Sequence, residues 1–486
     1  MPLGRVGGRV WGRVWGRVWG RVWGPAARFP GTIAATMRAG VAAGHPATAE
    51  VGLEILVEGG TAADAVVAMG LASCVAETVM SGLFAGCHAI VFDGSRVANL
   101  DGFAAVPSGR GDMDDVPVPF GDEIVAYSIG PASCAVPGLP AALGELWERL
   151  GRLPWQRLVE PALRLAREGV PLPEMHERSL AMLADVFSLG RGAEIFCRED
   201  RTLQADEVLE QPGLVQALEA LDEEGAASVY RGSLAEALLA IDGVVLTADD
   251  LRGYRPHWND SMVAAFQGHR IATRGGLSGV PELLDRFPRL AGLTETERVQ
   301  TLVKTLETAA TSGEHTTNMV AVDGHGRACV LTHSLGVGAG VWVPGFDVQL
   351  NNLLGESDIV FGQPAPGDHL ESRMAPSLAF DADGLSLAIG SAGATRLRTA
   401  LATVLSSVLV EGLDPEEAVT RPRLHPTPVL VDAEPGVDED ALAELEAEGR
   451  TVRRWDRIHH YFGGVSCVGR DGAAGDPRRS GAAFRA

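Results

Sequence analysis

The sequence predicts a mixed α/β fold in which sheets are flanked by helices, and three observations point there. Apolar residues recur at helical spacing through much of the chain up to residue 240, punctuated by Gly and Pro. After Thr316 the character changes to alternating apolar hairpins. From Ile389 a strand, a turn of small residues and a long helix follow one another. At 486 residues the chain is long enough to bury large cores.

Taken in order, the apolar spacing of His45–Glu58 predicts a helix that stops at Gly59-Gly60. A nearly all-apolar helix follows over Thr61–Ala76, with Asp64 in its first turn. His88–Asp101 reads as a hairpin around Asp93-Gly94, and Gly111–Pro119 as an acidic, proline-containing loop. Residues 136–240 are mostly helical in pattern, and Thr294-Glu295-Thr296-Glu297 is a capping box opening one more helix. Asn318–Thr332 and Ser377–Ile389 are hairpins. The run Gly390-Ser391-Ala392-Gly393-Ala394 leads into a helix over Thr395–Glu411, and Asp414-Pro415 caps another.

Composition excludes several chemistries. Lys304 is the only lysine among the 41 Lys and Arg residues, and it lies in an acidic helical stretch without a Gly-rich loop or a strand before it. Pyridoxal Schiff bases, P-loops and kinase sites all need a placed lysine, so none is expected. A net charge of −22 argues against nucleic acid. The 6 cysteines form no CxxC pair and suit buried, reduced thiols of a cytosolic protein. Cys74, Cys87 and His88 match no usual zinc spacing, and no metal or cofactor is expected.

Residues 1–36 form a low-complexity leader, expected to be disordered, built on a period-four GRVW repeat from Arg5 to Trp23. Its arginines break any signal-peptide core. A Trp/Arg tether for membrane or RNA is one reading. A translated DNA repeat upstream of a start at Met37 is the favoured one. No apolar run is long enough to cross a membrane, so the expected location is the cytoplasm.

Two places suit chemistry. The turn at Gly393-Ala394 sets backbone N–H groups at a helix N-terminus, as an oxyanion hole requires. Thr316 opens a hairpin, and a threonine becomes a nucleophile when its own α-amine is free to take the hydroxyl proton. That state needs the bond before Thr316 to be cut. A hydrolase using His333 and Ser334 is disfavoured, because neighbours in a strand face opposite ways and no GxSxG elbow is present.

A series of stretches from about Gly40 onward carries a further signal: GVAAGHPATAEVGLEIL (Gly40–Leu56), EGGTAADAVVA (Glu58–Ala68), HTTNMVAVDGHGRACVLTHS (His315–Ser334), LNN (Leu350–Asn352) and SRMAPSLAF (Ser372–Phe380). It continues in GSAGATR (Gly390–Arg396), RPRLH (Arg421–His425) and GDPRRSGAA (Gly475–Ala483). In these stretches the chain resembles the γ-glutamyltranspeptidase family of N-terminal-nucleophile hydrolases. The resemblance implies a four-layer αββα sandwich, one intertwined catalytic domain made as a single precursor. It implies that Thr316 attacks the carbonyl of His315, leaving a large chain portion that spans 37–315 after the leader and a small chain of residues 316–486, which pair with each other. Thr316 is then the catalytic nucleophile, Ser334 its helper hydroxyl, and Gly393 and Ala394 the oxyanion pair.

The substrate-binding pattern departs from the family. The arginine that grips the glutamyl α-carboxylate falls at Phe103, and the family's Ser-Ser pair reads Ser372-Arg373. The acidic residue for the α-amino group falls at Glu356. Arg373 is a candidate replacement for the lost arginine, with a surface arginine beside Glu371 as the alternative. The implied activity is hydrolysis or acyl transfer at an amide-type bond of a small-molecule substrate outside the ordinary γ-glutamyl class. C–C bond hydrolysis in a specialised-metabolite pathway and a catalytically dead scaffold are the alternatives, and higher oligomers stay open.

Overall fold

The computed structural model describes residues 37–120, 123–307 and 316–486. The leader of residues 1–36 and His315 lie outside the described residues. The first part of the chain supplies strands β1 (Gly40–Ala43), β2 (Gly86–Phe92), β3 (Val97–Gly102), β4 (His257–Asp260), β5 (Met262–Phe266) and β6 (His269–Thr273). The last part adds β7 (Thr317–Val322), β8 (Ala328–Ser334), β9 (Ser377–Asp381), β10 (Gly384–Ala392), β11 (Gly464–Gly469), β12 (Ala473–Gly475) and β13 (Ala482–Arg485). They form a seven-stranded sheet, order β4-β3-β2-β8-β7-β1-β13, and a six-stranded sheet, order β5-β6-β9-β10-β11-β12. Every pairing in both is antiparallel.

The period-two alternation of these strands divides their side chains between two cores. Ala42, Ile90, Val320, Val330, Ala388 and Val468 meet between the sheets, where Phe92 and Phe380 pack edge-to-face at 5.1 Å. The intervening residues Val41, Ala89, Met319 and Leu331 face helices α1 (Pro46–Val57), α2 (Ala62–Ala76), α3 (Leu139–Leu150) and α4 (Trp155–Glu168). On the far side, Leu387, Ile389 and Val465 face α5 (Glu295–Leu306) and α6 (Thr395–Leu409). Helix, sheet, sheet and helix make the four layers expected. Because both faces of both sheets are covered, the central strands read as continuous apolar runs although they are antiparallel.

Local chemistry explains the helix starts. His45 is the N-cap of α1, its Nδ1 accepting from Ala47 N at 3.0 Å. Thr61 with Asp64, Thr294 with Glu297 and Asp414 with Glu417 all form capping boxes. All 15 residues of α2 are buried, the reason that its sequence lacks a polar stripe. The expectation of a loop over Gly111–Pro119 is corrected: Asp114–Phe120 is a strand paired with Glu123–Ile129. Val116 and Val118 point inward to a core with Tyr127 and Ile129, while Pro117 and Pro119 sit on the exposed positions where a missing N–H is tolerated. Among the described residues, no helix is long and apolar enough to cross a membrane.

Candidate active site

Sheet register brings the sequence-predicted residues into line. Ser334, the last residue of β8, pairs with Gly86, the first of β2. Cys87 pairs with Gly102, so one further step sets Gly86 opposite Phe103. In the other direction Thr317 pairs with His333, and one further step sets Thr316 opposite Ser334. Phe103, Gly86, Ser334 and Thr316 therefore form a single row across four neighbouring strands, about 14 Å from end to end at ordinary strand spacing. Thr316 and Ser334 share the parity of Val320 and Val330, so both point between the sheets.

Facing them is the end of β10 and the turn into α6. Ala392 pairs with Gly464, and both line one narrow cleft with Thr316. Asn318 Nδ2 donates to Gly464 O at 3.2 Å, which ties the two sheets together beside Thr316. Gly393 has φ 117°, and a Cβ there would meet Gly463 Cα at 2.7 Å, so only glycine fits. Ala394 adopts φ 53° and ψ −123°, a conformation that favours glycine. An alanine held there stores local strain, a feature that clusters at functional sites. The turn leads directly into the first residues of α6, where the helix dipole favours negative charge.

Thr316 is buried, and its Oγ1 has no hydrogen-bond partner among the described residues. Ser334 Oγ accepts from Gly336 N at 3.0 Å. Behind Thr316 lies a group of residues that the sequence reading missed. Thr317 Oγ1 donates to Glu77, and Thr48 Oγ1 donates to the other carboxylate oxygen at 2.7 Å. Gly44 makes room for this group, since a Cβ there would lie 2.6 Å from Glu77 Oε2. Burial pushes the Glu77 carboxyl up to about 7, partly offset by its two hydroxyl donors and by the nearby Arg479. Burial also pulls the Arg479 guanidinium down to about 10. These residues come from positions 44, 48, 77, 317 and 479, and no local pattern announces their meeting.

The four predicted substrate residues gather on the other side of Ser334. Phe103 is buried in an apolar core with Leu353 and Met374, stacked on His88 at 5.4 Å, and a Cβ on Gly86 would touch its ring at 2.7 Å. Glu356 is buried beside Gly336, where a Cβ would lie 2.5 Å from Glu356 Oε1. Ser372 is buried, its Oγ accepting from Met374 N at 3.1 Å. Arg373 pairs with Asp358 at 2.5 Å and is only 13% exposed, whereas Glu371 faces Arg274 at 3.9 Å. Arg373 is thus placed as a held, mostly buried cation rather than a surface arginine beside Glu371. His333 turns away from Ser334 to the opposite face, where Ser73 Oγ lies 3.0 Å from its Nε2 and Ser81 contacts its Nδ1.

Two antiparallel sheets between helical layers, with a threonine at the head of a central strand, define the class of N-terminal-nucleophile hydrolases. Comparison with known proteins narrows the class. The sequence profile of the gamma-glutamyltranspeptidase family matches residues 48–308 and 289–486. The chain belongs to the gamma-glutamyltranspeptidase family, whose members are hydrolases and transferases. Glutathione hydrolase 3 of Arabidopsis thaliana is 32% identical over 264 residues, covering 51% of this chain and 40% of that protein. Glutathione hydrolase proenzyme of Pseudomonas aeruginosa is 25% identical, covering 94% of this chain and 96% of that one. Acylase ACY 1 proenzyme of Pseudomonas sp. strain V22 is also 25% identical, over 88% and 89% of the two chains. Among solved structures, cephalosporin acylase from Bacillus halodurans shares the fold with a TM-score of 0.79 at 21% identity, covering 93% of this chain and 96% of that one.

Proposed function

We propose that this protein is a self-processing N-terminal threonine hydrolase or acyltransferase that opens an amide-type bond in a substrate the ordinary γ-glutamyl grip does not hold. The observation that carries this reading is the register that sets Thr316 opposite Ser334, with Thr316 in one cleft with Ala392, the residue that leads into the Gly393-Ala394 turn. Thr316 cuts the bond after His315, which leaves chains 1–315 and 316–486. The products stay paired because strands from both alternate within one sheet: β2 lies beside β8, and β1 lies between β7 and β13.

The freed α-amine of Thr316 has a reference pKa near 7.7–8.0, which suits a general base at neutral pH. It takes the Oγ1 proton as that oxygen attacks the substrate carbonyl. The resulting oxyanion lies against the N–H groups of Gly393 and Ala394, fixed by the strained turn before the charge appears. The same amine then returns the proton to the leaving nitrogen, and an acyl ester remains on Thr316. Water, or an acceptor amine, repeats the sequence and releases the acyl group. Ser334 Oγ orients the nucleophile from the neighbouring strand.

Relatives named glutathione hydrolase and acylase support an amide-type bond. Phe103 in place of the family's arginine supports a substrate outside the γ-glutamyl class. Losing a charge-assisted bond to a carboxylate costs about 1.5–3 kcal/mol, so γ-glutamyl-p-nitroanilide should give little turnover. Spectrophotometric release of p-nitroaniline checks this. Robust turnover of the γ-glutamyl compound contradicts the rebuilt pocket, and activity surviving Thr316→Ala contradicts the nucleophile.

A further inference from the structure

Arg479 is 5% exposed, yet the only hydrogen-bond contact of its guanidinium among the described residues is Nη1 with Met80 Sδ at 3.2 Å. Its Nε has no partner there at all. A guanidinium carries five N–H donors, and a thioether sulfur is a weak acceptor. A buried cation left in this condition is costly unless something else completes it. The nearby carboxylates are committed elsewhere. Asp476 holds Arg423 at 2.7 Å and Arg478 at 3.2 Å, and Glu434 is bound to Arg478. Glu77 accepts from Thr48 and Thr317.

Position gives the unpaired charge its meaning. Arg479 lines the same cleft as Thr316, Ala392 and Gly464. A Cβ on Gly393 would lie 3.6 Å from Arg479 Nη2, so the guanidinium sits beneath the turn that the reaction uses. Gly464 lets it reach there, since a Cβ at that position would collide with Arg479 Cγ at 2.3 Å. The cleft thus opens on a buried cation that has no carboxylate at ion-pair distance among the described residues, in the cleft that Thr316 also lines, on the flank away from Phe103.

We propose that Arg479 anchors a carboxylate on the substrate of this enzyme. The inference rests on the function proposed above and names the chemical class: an amide that bears a carboxylate within reach of Arg479 while its carbonyl sits at Thr316. Planar, bidentate recognition of a carboxylate is what a guanidinium does best, and a dry site strengthens it.

The test uses the full chain as purified and two probes of equal shape, N-acetylglycine and N-acetylglycinamide, titrated calorimetrically. The wild-type protein should bind the carboxylate at least about ten-fold more tightly than the neutral amide. Arg479→Gln should abolish that preference, and Arg479→Lys, which keeps the charge if Gln perturbs folding, should retain it. No preference in the wild-type protein, including no measurable binding of either probe, overturns the proposal. So does a preference that survives Arg479→Gln. Denaturing electrophoresis of the same samples separates the two claims. Processed chains without carboxylate selectivity remove the anchor alone, and an unprocessed wild-type chain with selectivity removes the self-cleavage reading alone.

Discussion

The two flanks of Thr316 differ in how their polar groups are satisfied. Toward Ser334 and Gly86 the row ends at Phe103, packed among Leu353 and Met374 and closed by the ring stack with His88. The cation on that side, Arg373, is already held by Asp358. Toward Gly44 the cleft meets Glu77, raised to about 7 by burial, and Arg479, which lacks a carboxylate partner. A packed apolar flank and a charged flank without an ion pair at Arg479 among the described residues teach that the fold itself satisfies one side of the nucleophile more fully than the other, and the proposed substrate carboxylate belongs to the second.

The comparison can be attacked from each end. The largest effect falls on the nucleophile between the flanks: Thr316→Ala should lower turnover by about four orders of magnitude or more, since loss of a nucleophile usually leaves only binding and oxyanion contributions. Steady-state kinetics of the wild-type protein and of the intact variant, compared side by side, checks this. On the apolar flank, Phe103→Ala should cost about 3–5 kcal/mol of stability, read by denaturant unfolding, because a fully packed ring leaves a cavity. A loss below about 1 kcal/mol would show the flank is loosely packed and open to substrate.

On the charged flank, Glu77→Gln should change stability in a pH-dependent way. The folded-state carboxyl lies at about 7 against an ordinary 4.5, so holding it ionised in the fold is unfavourable. Its contribution is fully present below pH 4.5 and is lost as pH rises through about 7. The glutamine variant, which cannot ionise, should therefore gain on the wild type between pH 5 and pH 8 by up to about 3 kcal/mol. Thermal unfolding at the two pH values checks the sign; a gain in the opposite direction would mean that Arg479 neutralises Glu77 after all. The smallest effect belongs to the turn: Ala394→Gly should stabilise by about 0.4–1 kcal/mol or less, as relief of the positive φ is set against added chain freedom. A clear destabilisation there would mean the alanine side chain packs productively.

Much of the fold was legible because its signals are local. Capping at Thr294 and Asp414, the small-residue turn at Gly393-Ala394 and the hairpins after Thr316 each follow from residues close together in sequence. The strand at Asp114–Phe120 was missed because prolines on its exposed face masked the buried alternation of Val116 and Val118. The turn and the candidate nucleophile were offered by local residues, and the resemblance assigned their roles and supplied the helper Ser334. The charged flank came from neither. Arg479 stands beside Arg478 in GDPRRSGAA, and nothing in that stretch distinguishes the two. Arg478 is paired with Glu434 and Asp476 while the Arg479 guanidinium, among the described residues, meets only Met80, 399 residues away, a difference that adjacent positions in sequence do not reveal.

The most direct test of the account is the mass spectrum of the purified protein, compared with that of Thr316→Ala. Self-processing predicts two chains in the wild-type protein, the smaller beginning at Thr316, and one intact chain in the variant. A wild-type protein that remains a single chain, or one whose new N-terminus lies elsewhere than Thr316, contradicts it.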